Sequence, residues 1–107
     1  MTPEGKIKHL IKKVLDPRKP DLYYDMPVPT GFGKSMLDFV GCYYGRYFAI
    51  EAKAPGKQPT ERQEGTRDDM LKAGGAVFVI DGETGCEALG AWLDAVQREC
   101  AKDYGGA

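Results

Sequence analysis

The chain has 107 residues and a formal net charge of −1, with 42% hydrophobic and 29% charged residues. This composition is ordinary for a globular domain and excludes a disordered chain or a fibrous repeat. Because two cores in a chain of this length would each be too small to offset chain entropy, we expect a single domain over residues 1–107. No stretch reaches the ~20 apolar residues of a membrane span, and no amino-terminal run resembles a signal peptide, so we expect a cytoplasmic protein without membrane contact.

The charges are unevenly distributed along the chain. Residues 1–57 hold 10 Lys and Arg against 6 Asp and Glu, and residues 58–107 hold 5 against 10. A cationic half suits a polyanionic partner, although a split of this size is also common in domains that bind nothing charged.

Cys42, Cys86 and Cys100 are far apart and form no Cys-x-x-Cys pair. Neither a zinc site nor a disulfide framework fits this spacing. We expect all three to be small buried hydrophobic residues.

The first predicted elements are a helix and a strand. Thr2 and Pro3 are typical of an N-cap followed by a first-position proline, and they predict a helix over about Pro3–Leu15. Two Xaa-Pro pairs then end the helix, and residues 22–28 are typical of a strand that ends in prolines.

Residues 36–44 and 46–54 are two β-type runs separated by Gly45, which predicts a hairpin. After a Pro- and Gly-containing break, Thr60 is expected to cap a second helix that ends at Gly74.

The last elements are a strand and a helix. The short, wholly apolar run 76–80 is expected to be a strand buried on both faces. Thr84 and Glu87 have the spacing of a capping box and predict a final helix over about 84–102. The predicted order is therefore α-β-β-β-α-β-α.

Ile50-Glu51-Ala52-Lys53 contains the sharpest functional signal. In a strand, residues two apart point to the same face, so Glu51 and Lys53 stand side by side while Ile50 and Ala52 face the core. A carboxylate in this position suits a divalent metal, and the neighbouring ammonium suits a phosphate in its transition state.

Asp38 is the one polar residue in an apolar run, where aspartate is disfavoured. If the strands pair around Gly45, Asp38 and Glu51 come opposite each other, and two such oxygen ligands suit Mg²⁺ or Mn²⁺. The alternative for Asp38, Glu51 and Lys53 is a solvated sheet face with a surface ion pair.

Two further residues permit either a functional or a structural role. Glu4 lies at the edge of the apolar stripe of the first helix and is placed to help bind a metal or water, but it also complements the helix dipole. Gln63 and Arg67 share one helix face that suits a phosphate, whereas Thr60 and Gln63 alone satisfy the capping-box pattern.

Basic residues offer contacts to DNA phosphates. A charged helix face is more often only solvated, and His9 on the same side of the first helix is given no role. The candidates for phosphate contact are Lys6, Lys12, Lys13, Lys34 and Arg67.

Taken together, these motifs resemble the PD-(D/E)XK nuclease superfamily, and specifically its VRR-NUC family of virus-type replication-repair nucleases. The similarity extends over about residues 2–81, and the residues that carry it are Glu4, Leu37-Asp38, Ile50-Glu51-Ala52-Lys53 and Gln63. The pattern departs from the superfamily motif in one respect, because Leu37 stands where the motif has proline.

The resemblance implies a restriction-endonuclease-like α-β-β-β-α-β core with a mixed central sheet flanked by helices, followed by a C-terminal helix. It implies Asp38 and Glu51 as metal ligands, helped by the Ala52 carbonyl, with Lys53 acting on the water or the transition state. Glu4 would match the acid of the family's first helix, and Gln63 its characteristic glutamine.

The resulting expectation is a Mg²⁺- or Mn²⁺-dependent DNA endonuclease, selective for branched or junction DNA, of bacteriophage origin and with no small-molecule cofactor. Alternatives are a non-catalytic DNA-binding module of the same fold and a structural phage protein that binds no metal. We also expect a homodimer, because coordinated cutting of two strands needs two sites. Surplus aromatic residues would bury its interface: Phe32, Tyr43, Tyr44, Tyr47 and Trp92.

Overall fold

The computed structural model describes residues 1–28, 37–57 and 61–104, and side chains in the last range from residue 64 onward. Its helices and strands are, in chain order, α1 Pro3–Leu15, β1 Leu22–Asp25, β2 Phe39–Tyr43, β3 Arg46–Ala52, α2 Glu61–Lys72, β4 Ala76–Ile80 and α3 Glu83–Tyr104. This is the order that the sequence predicts. Across the described ranges, no helix is long and apolar enough to cross a membrane.

Helix α1 begins and ends at the predicted residues. The Thr2 hydroxyl oxygen accepts a hydrogen bond from the Gly5 N–H at 2.9 Å, and Pro3 occupies the first turn, where no intrahelical N–H bond is lost. Ile7, Ile11 and Leu15 form a buried stripe at four-residue spacing. This stripe packs α1 onto the sheet and leaves polar residues of α1 on its flank.

The strands form one mixed sheet in the order β1-β2-β3-β4. β1, β2 and β3 pair antiparallel, whereas β3 and β4 pair parallel. Two parallel neighbours cannot be joined by a tight turn, and α2 forms the connection between them. The predicted α/β fold with a mixed central sheet is confirmed.

A two-residue turn at Tyr44 and Gly45 sets the register of the β2–β3 hairpin. Their φ angles are 47° and 81°, and positive φ at both central residues is what a type I′ turn requires. Phe39 consequently pairs with Ile50. Extending this register by one residue places Asp38 opposite Glu51, although Asp38 lies just before β2 and not inside it.

The hydrophobic core lies between helices α1 and α3 and one face of the sheet. Helix α3 contributes a buried stripe at helical spacing. The fully buried large side chains include Ile11, Leu15, Leu22, Phe39, Phe48, Ile50, Ile80, Leu89 and Leu93. Glu51 of β3 points away from this layer, since side chains alternate along a strand and its neighbours Ile50 and Ala52 face the core.

The burial of β4 differs from the prediction, and the strand that is buried on both faces is β3. β4 was expected to be buried on both faces, but it lies at the edge of the sheet, and Val79 is 37% exposed. β3 is an internal strand with β2 and β4 as neighbours, and all five residues Phe48–Ala52 are buried. An apolar run was therefore a poor guide to which strand is central.

Two smaller expectations are also wrong. Helix α3 begins at Glu83, so Thr84 lies within the first turn and is not the capping residue; the Gly82 carbonyl accepts the Cys86 N–H there. Cys42 is exposed, because it lies on the sheet face opposite the core, between Tyr23 and Tyr47 of the neighbouring strands. Cys86 and Cys100 are half-buried against the core.

Candidate active site

Glu51 and Lys53 form a buried ion pair where β3 ends. The Glu51 side chain is 3% exposed and the Lys53 side chain 12%, and Lys53 Nζ lies 3.3 Å from Glu51 Oε1. The Lys53 backbone N–H donates to the Ile80 carbonyl at 2.9 Å, which holds the chain beside β4 just past the end of β3. A solvated surface pair, the alternative left open by the sequence, does not describe Glu51.

Burial of a charge is costly, and in the described part of the chain Glu51 is the one charged residue in the buried class. The pKa of Glu51 is raised to about 7, mainly by burial and also by the nearby charges of Asp38 and Glu4, while Lys53 opposes the rise. A positive charge placed next to such a carboxylate stabilises its ionised form. Strongly shifted acids of this kind are frequent at functional sites.

Asp38 is tied to the backbone of β3. Its Oδ2 accepts a hydrogen bond from the Ala52 N–H at 2.8 Å. This bond orients the carboxylate beside the residue that follows Glu51 and accounts for an aspartate at the entrance to an apolar strand. Asp38 therefore lies beside the end of β3 that carries Glu51.

Helix α1 brings an acid and a base to the same place. Lys8 Nζ lies 3.7 Å from Glu4 Oε2 and 3.6 Å from Asp38 Oδ1, so its ammonium bridges the helix and the sheet. Sequence reasoning missed Lys8. The available signal was its position four residues after Glu4, where an acid and a base meet on one side of a helix.

The donor set suits a hard divalent cation. Asp38 and Glu51 offer carboxylate oxygens, and Mg²⁺ is often held by one or two carboxylates together with waters and substrate phosphates. Within the described ranges, no group of three or more His, Cys, Asp or Glu residues is close enough to form a ready metal cluster.

For the remaining candidate residues, the structure gives the position on a helix and the exposure of the side chain. Lys12 continues the line of Glu4 and Lys8 along α1, because each residue is four positions after the last, whereas Lys6 and Lys13 point elsewhere and are exposed. Arg67 is half-buried on α2. The side chain of Gln63 and all of Lys34 lie outside the described residues.

The aromatic residues are mostly used within one chain. Tyr43 is 3% exposed, and the Trp92 ring packs edge-on against Phe48 and Phe78 at centroid distances of 6.1 and 5.5 Å. Tyr44 is half-buried, Tyr47 is 45% exposed, and Phe32 lies outside the described residues.

The α-β-β-β-α-β core with its mixed four-stranded sheet is consistent with a restriction-endonuclease-like fold. Among solved structures, this chain is similar to one titled VRR_NUC domain, with a TM-score of 0.65 and 17% sequence identity. The match covers 92% of this chain and 98% of that chain. Neither a family model nor a curated protein matches the sequence. The chain has the fold of a VRR-NUC domain, as the sequence predicts.

Proposed function

We propose that this protein is a metal-dependent nuclease that hydrolyses DNA phosphodiester bonds. The observation that carries the proposal is the buried Glu51–Lys53 pair beside Asp38, whose carboxylate is hydrogen-bonded to the backbone, at the end of the internal strand β3 of a VRR-NUC fold. A charged pair is costly to bury and stabilises a fold poorly. Its retention is best explained by chemistry on a charged substrate.

Asp38 and Glu51 are the proposed metal ligands, with the Ala52 carbonyl as a third oxygen donor and Mg²⁺ or Mn²⁺ as the ion. When bound, such an ion lowers the pKa of water and offsets charge on a phosphate. Lys53 is proposed to stabilise the negative charge that develops on the phosphate oxygens during attack. It is suited to this because Glu51 holds its ammonium in place before the substrate arrives.

The remaining residues are proposed to position the substrate. Glu4 and Gln63 would orient water or phosphate next to the metal. The proposed contacts to the DNA backbone are Lys6, Lys12, Lys13, Lys34 and Arg67, which would neutralise phosphates without reading sequence.

The test is cleavage of labelled DNA in Mg²⁺, Mn²⁺ or EDTA, using linear duplex, a flap and a four-way junction of matched length. We expect cutting with either metal, none with EDTA, and faster cutting of the branched substrates in line with a role in phage replication, recombination or repair. Thermal unfolding gives a second reading, since a ligand at 100 times its Kd stabilises the folded state by about 2.7 kcal/mol. Metal should raise the Tm of the wild type but not that of Asp38→Asn.

We also propose that the protein is a homodimer, although the aromatic residues support this less than the sequence predicts. Tyr43 and Trp92 complete the core of one chain, so the aromatic surplus is smaller than the composition indicates. The remaining argument is that a junction needs two coordinated cuts, which two sites related by a two-fold axis provide. Light scattering with and without a four-way junction tests this proposal, and a monomer mass in both would leave a nicking enzyme.

A further inference from the structure

A pocket lies at the opposite end of β3 from the acidic residues. Its volume is about 620 Å³, in the range of small-molecule sites. The pocket is formed where β3 and β4 begin, between the end of α2 and the middle of α3. The lining residues that matter here are Arg46, Tyr47, Met70, Gly75 and Trp92.

Tyr47 connects this pocket to the candidate active site. Tyr47 near the start of β3, Glu51 near its end and Lys53 just past it are spaced by even numbers of residues and therefore point to the same face of the sheet. At about 3.3 Å per residue, Tyr47 and Glu51 are ~13 Å apart along β3. This spacing equals roughly four 3.4 Å rises of a DNA strand, so one bound strand can reach both places.

The aromatic side chains of the pocket are held in place. A Cβ at Gly75 would lie 3.0 Å from Tyr47 Cδ1, so the tyrosine ring packs directly on the glycine while its 45% exposed surface faces outward. Trp92 is anchored by its edge contacts with Phe48 and Phe78. Arg46, the charged residue of the lining, is exposed beside them.

Rigid aromatic rings next to a cation are the chemistry by which proteins hold single-stranded nucleic acid, because every base has a face that stacks. We propose that this pocket binds an unpaired base of single-stranded DNA about four nucleotides from the cleavage site. The base stacks on Tyr47, and Arg46 neutralises a neighbouring phosphate. The proposal rests on the nuclease function and assigns that function a preference for substrates with an unpaired strand.

The test measures binding in EDTA, with a short oligothymidine and a duplex of the same length as probes. Trp92 is the one tryptophan in the chain, so its fluorescence reports directly on the pocket. We expect oligothymidine to quench it. Tyr47→Leu should weaken oligothymidine binding by about 10- to 100-fold, the loss that follows removal of one base–aromatic stack, with duplex binding nearly unchanged.

Tyr23→Leu is the matched control. Tyr23 lies in the same cross-strand row as Tyr47, two strands away and outside the pocket, and is 64% exposed. Its variant should bind oligothymidine as the wild type does. Arg46→Gln should lower the salt dependence of oligothymidine binding, with a slope smaller by about 0.7 if one phosphate contact is lost.

Unchanged oligothymidine affinity in Tyr47→Leu overturns the proposal, as does an equal loss in Tyr23→Leu, which would indicate a broad aromatic surface. A dimer that dissociates on Tyr47→Leu also overturns it, because the pocket would then be a subunit interface. Duplex cleavage separates the two proposals. If the wild type cuts duplex with Mg²⁺ while Tyr47→Leu affects nothing, the pocket alone fails; if the wild type cuts no DNA, the nuclease function fails.

Discussion

β3 and β4 are adjacent parallel strands, and the more apolar of the two is the less buried. β4 is wholly apolar, yet it lies at the edge of the sheet and exposes Val79. β3 carries Glu51, yet it is buried on both faces from Phe48 to Ala52. In these two strands burial follows the position in the sheet and not the composition, and because a buried charge is costly, stability alone does not explain Glu51 in β3.

The largest expected effect is the loss of DNA cleavage when the charge of Glu51 or of Asp38 is removed. Glu51→Gln and Asp38→Asn should each reduce cleavage below detection with Mg²⁺ and leave the fold intact, since an amide oxygen still accepts hydrogen bonds but binds a cation weakly. Labelled-DNA cleavage and circular dichroism measure the two properties. Glu99→Gln, an exposed acid on α3, is the control; a wild-type rate in either site variant would exclude the proposed metal ligands.

Lys53→Ala should lower the cleavage rate by a factor on the order of 10²–10³, the size expected when one preorganised charge-stabilising group is lost. DNA affinity should change far less, because the main effect is in the transition state. Single-turnover rates and equilibrium binding separate the two effects. Lys57→Ala, an exposed lysine four residues later, should change neither. A parallel loss of rate and binding in Lys53→Ala would make this lysine a phosphate anchor.

The burial contrast itself predicts different stability effects in the two strands. Ile50→Ala should lower the free energy of unfolding by about 2–5 kcal/mol, because Ile50 is fully buried in β3. Val79→Ala in β4 should cost less than about 1 kcal/mol, because its side chain is partly in water. Denaturant unfolding of both variants measures this. Equal losses would contradict the difference in burial between Ile50 in the internal strand β3 and Val79 in the edge strand β4.

The last expected effect is a dependence of stability on pH. The pKa of Glu51 is raised from 4.5 to about 7 in the folded protein, mainly by burial. Its contribution to stability is therefore full below pH 4.5 and is lost as the pH rises through about 7. In EDTA, the wild type should lose on the order of 2 kcal/mol of unfolding free energy between pH 5 and pH 8, and Glu51→Gln should not show this loss. A difference in unfolding free energy that is the same at both pH values would contradict the raised pKa.

Local patterns in the sequence determined much of the fold. The Thr2 cap, the proline after it and the four-residue spacing from Ile7 to Leu15 define α1 at both ends, because capping and side-chain spacing depend on near neighbours. Gly45 marks the hairpin turn, whose register follows from the turn type. Strand alternation alone places Glu51 and Lys53 on one face, where they form an ion pair.

Contacts between distant segments were decided by the tertiary structure. The bridge from Lys8 to Asp38 joins residues 30 positions apart and depends on how α1 lies on the sheet. The bond from the Ala52 N–H to Asp38 requires the hairpin to be closed, and the edge position of β4 depends on which side of β3 the α2 crossover returns to. The pKa of Glu51 arises from the same packing, because desolvation is produced by the segments that surround a side chain and not by its neighbours in sequence.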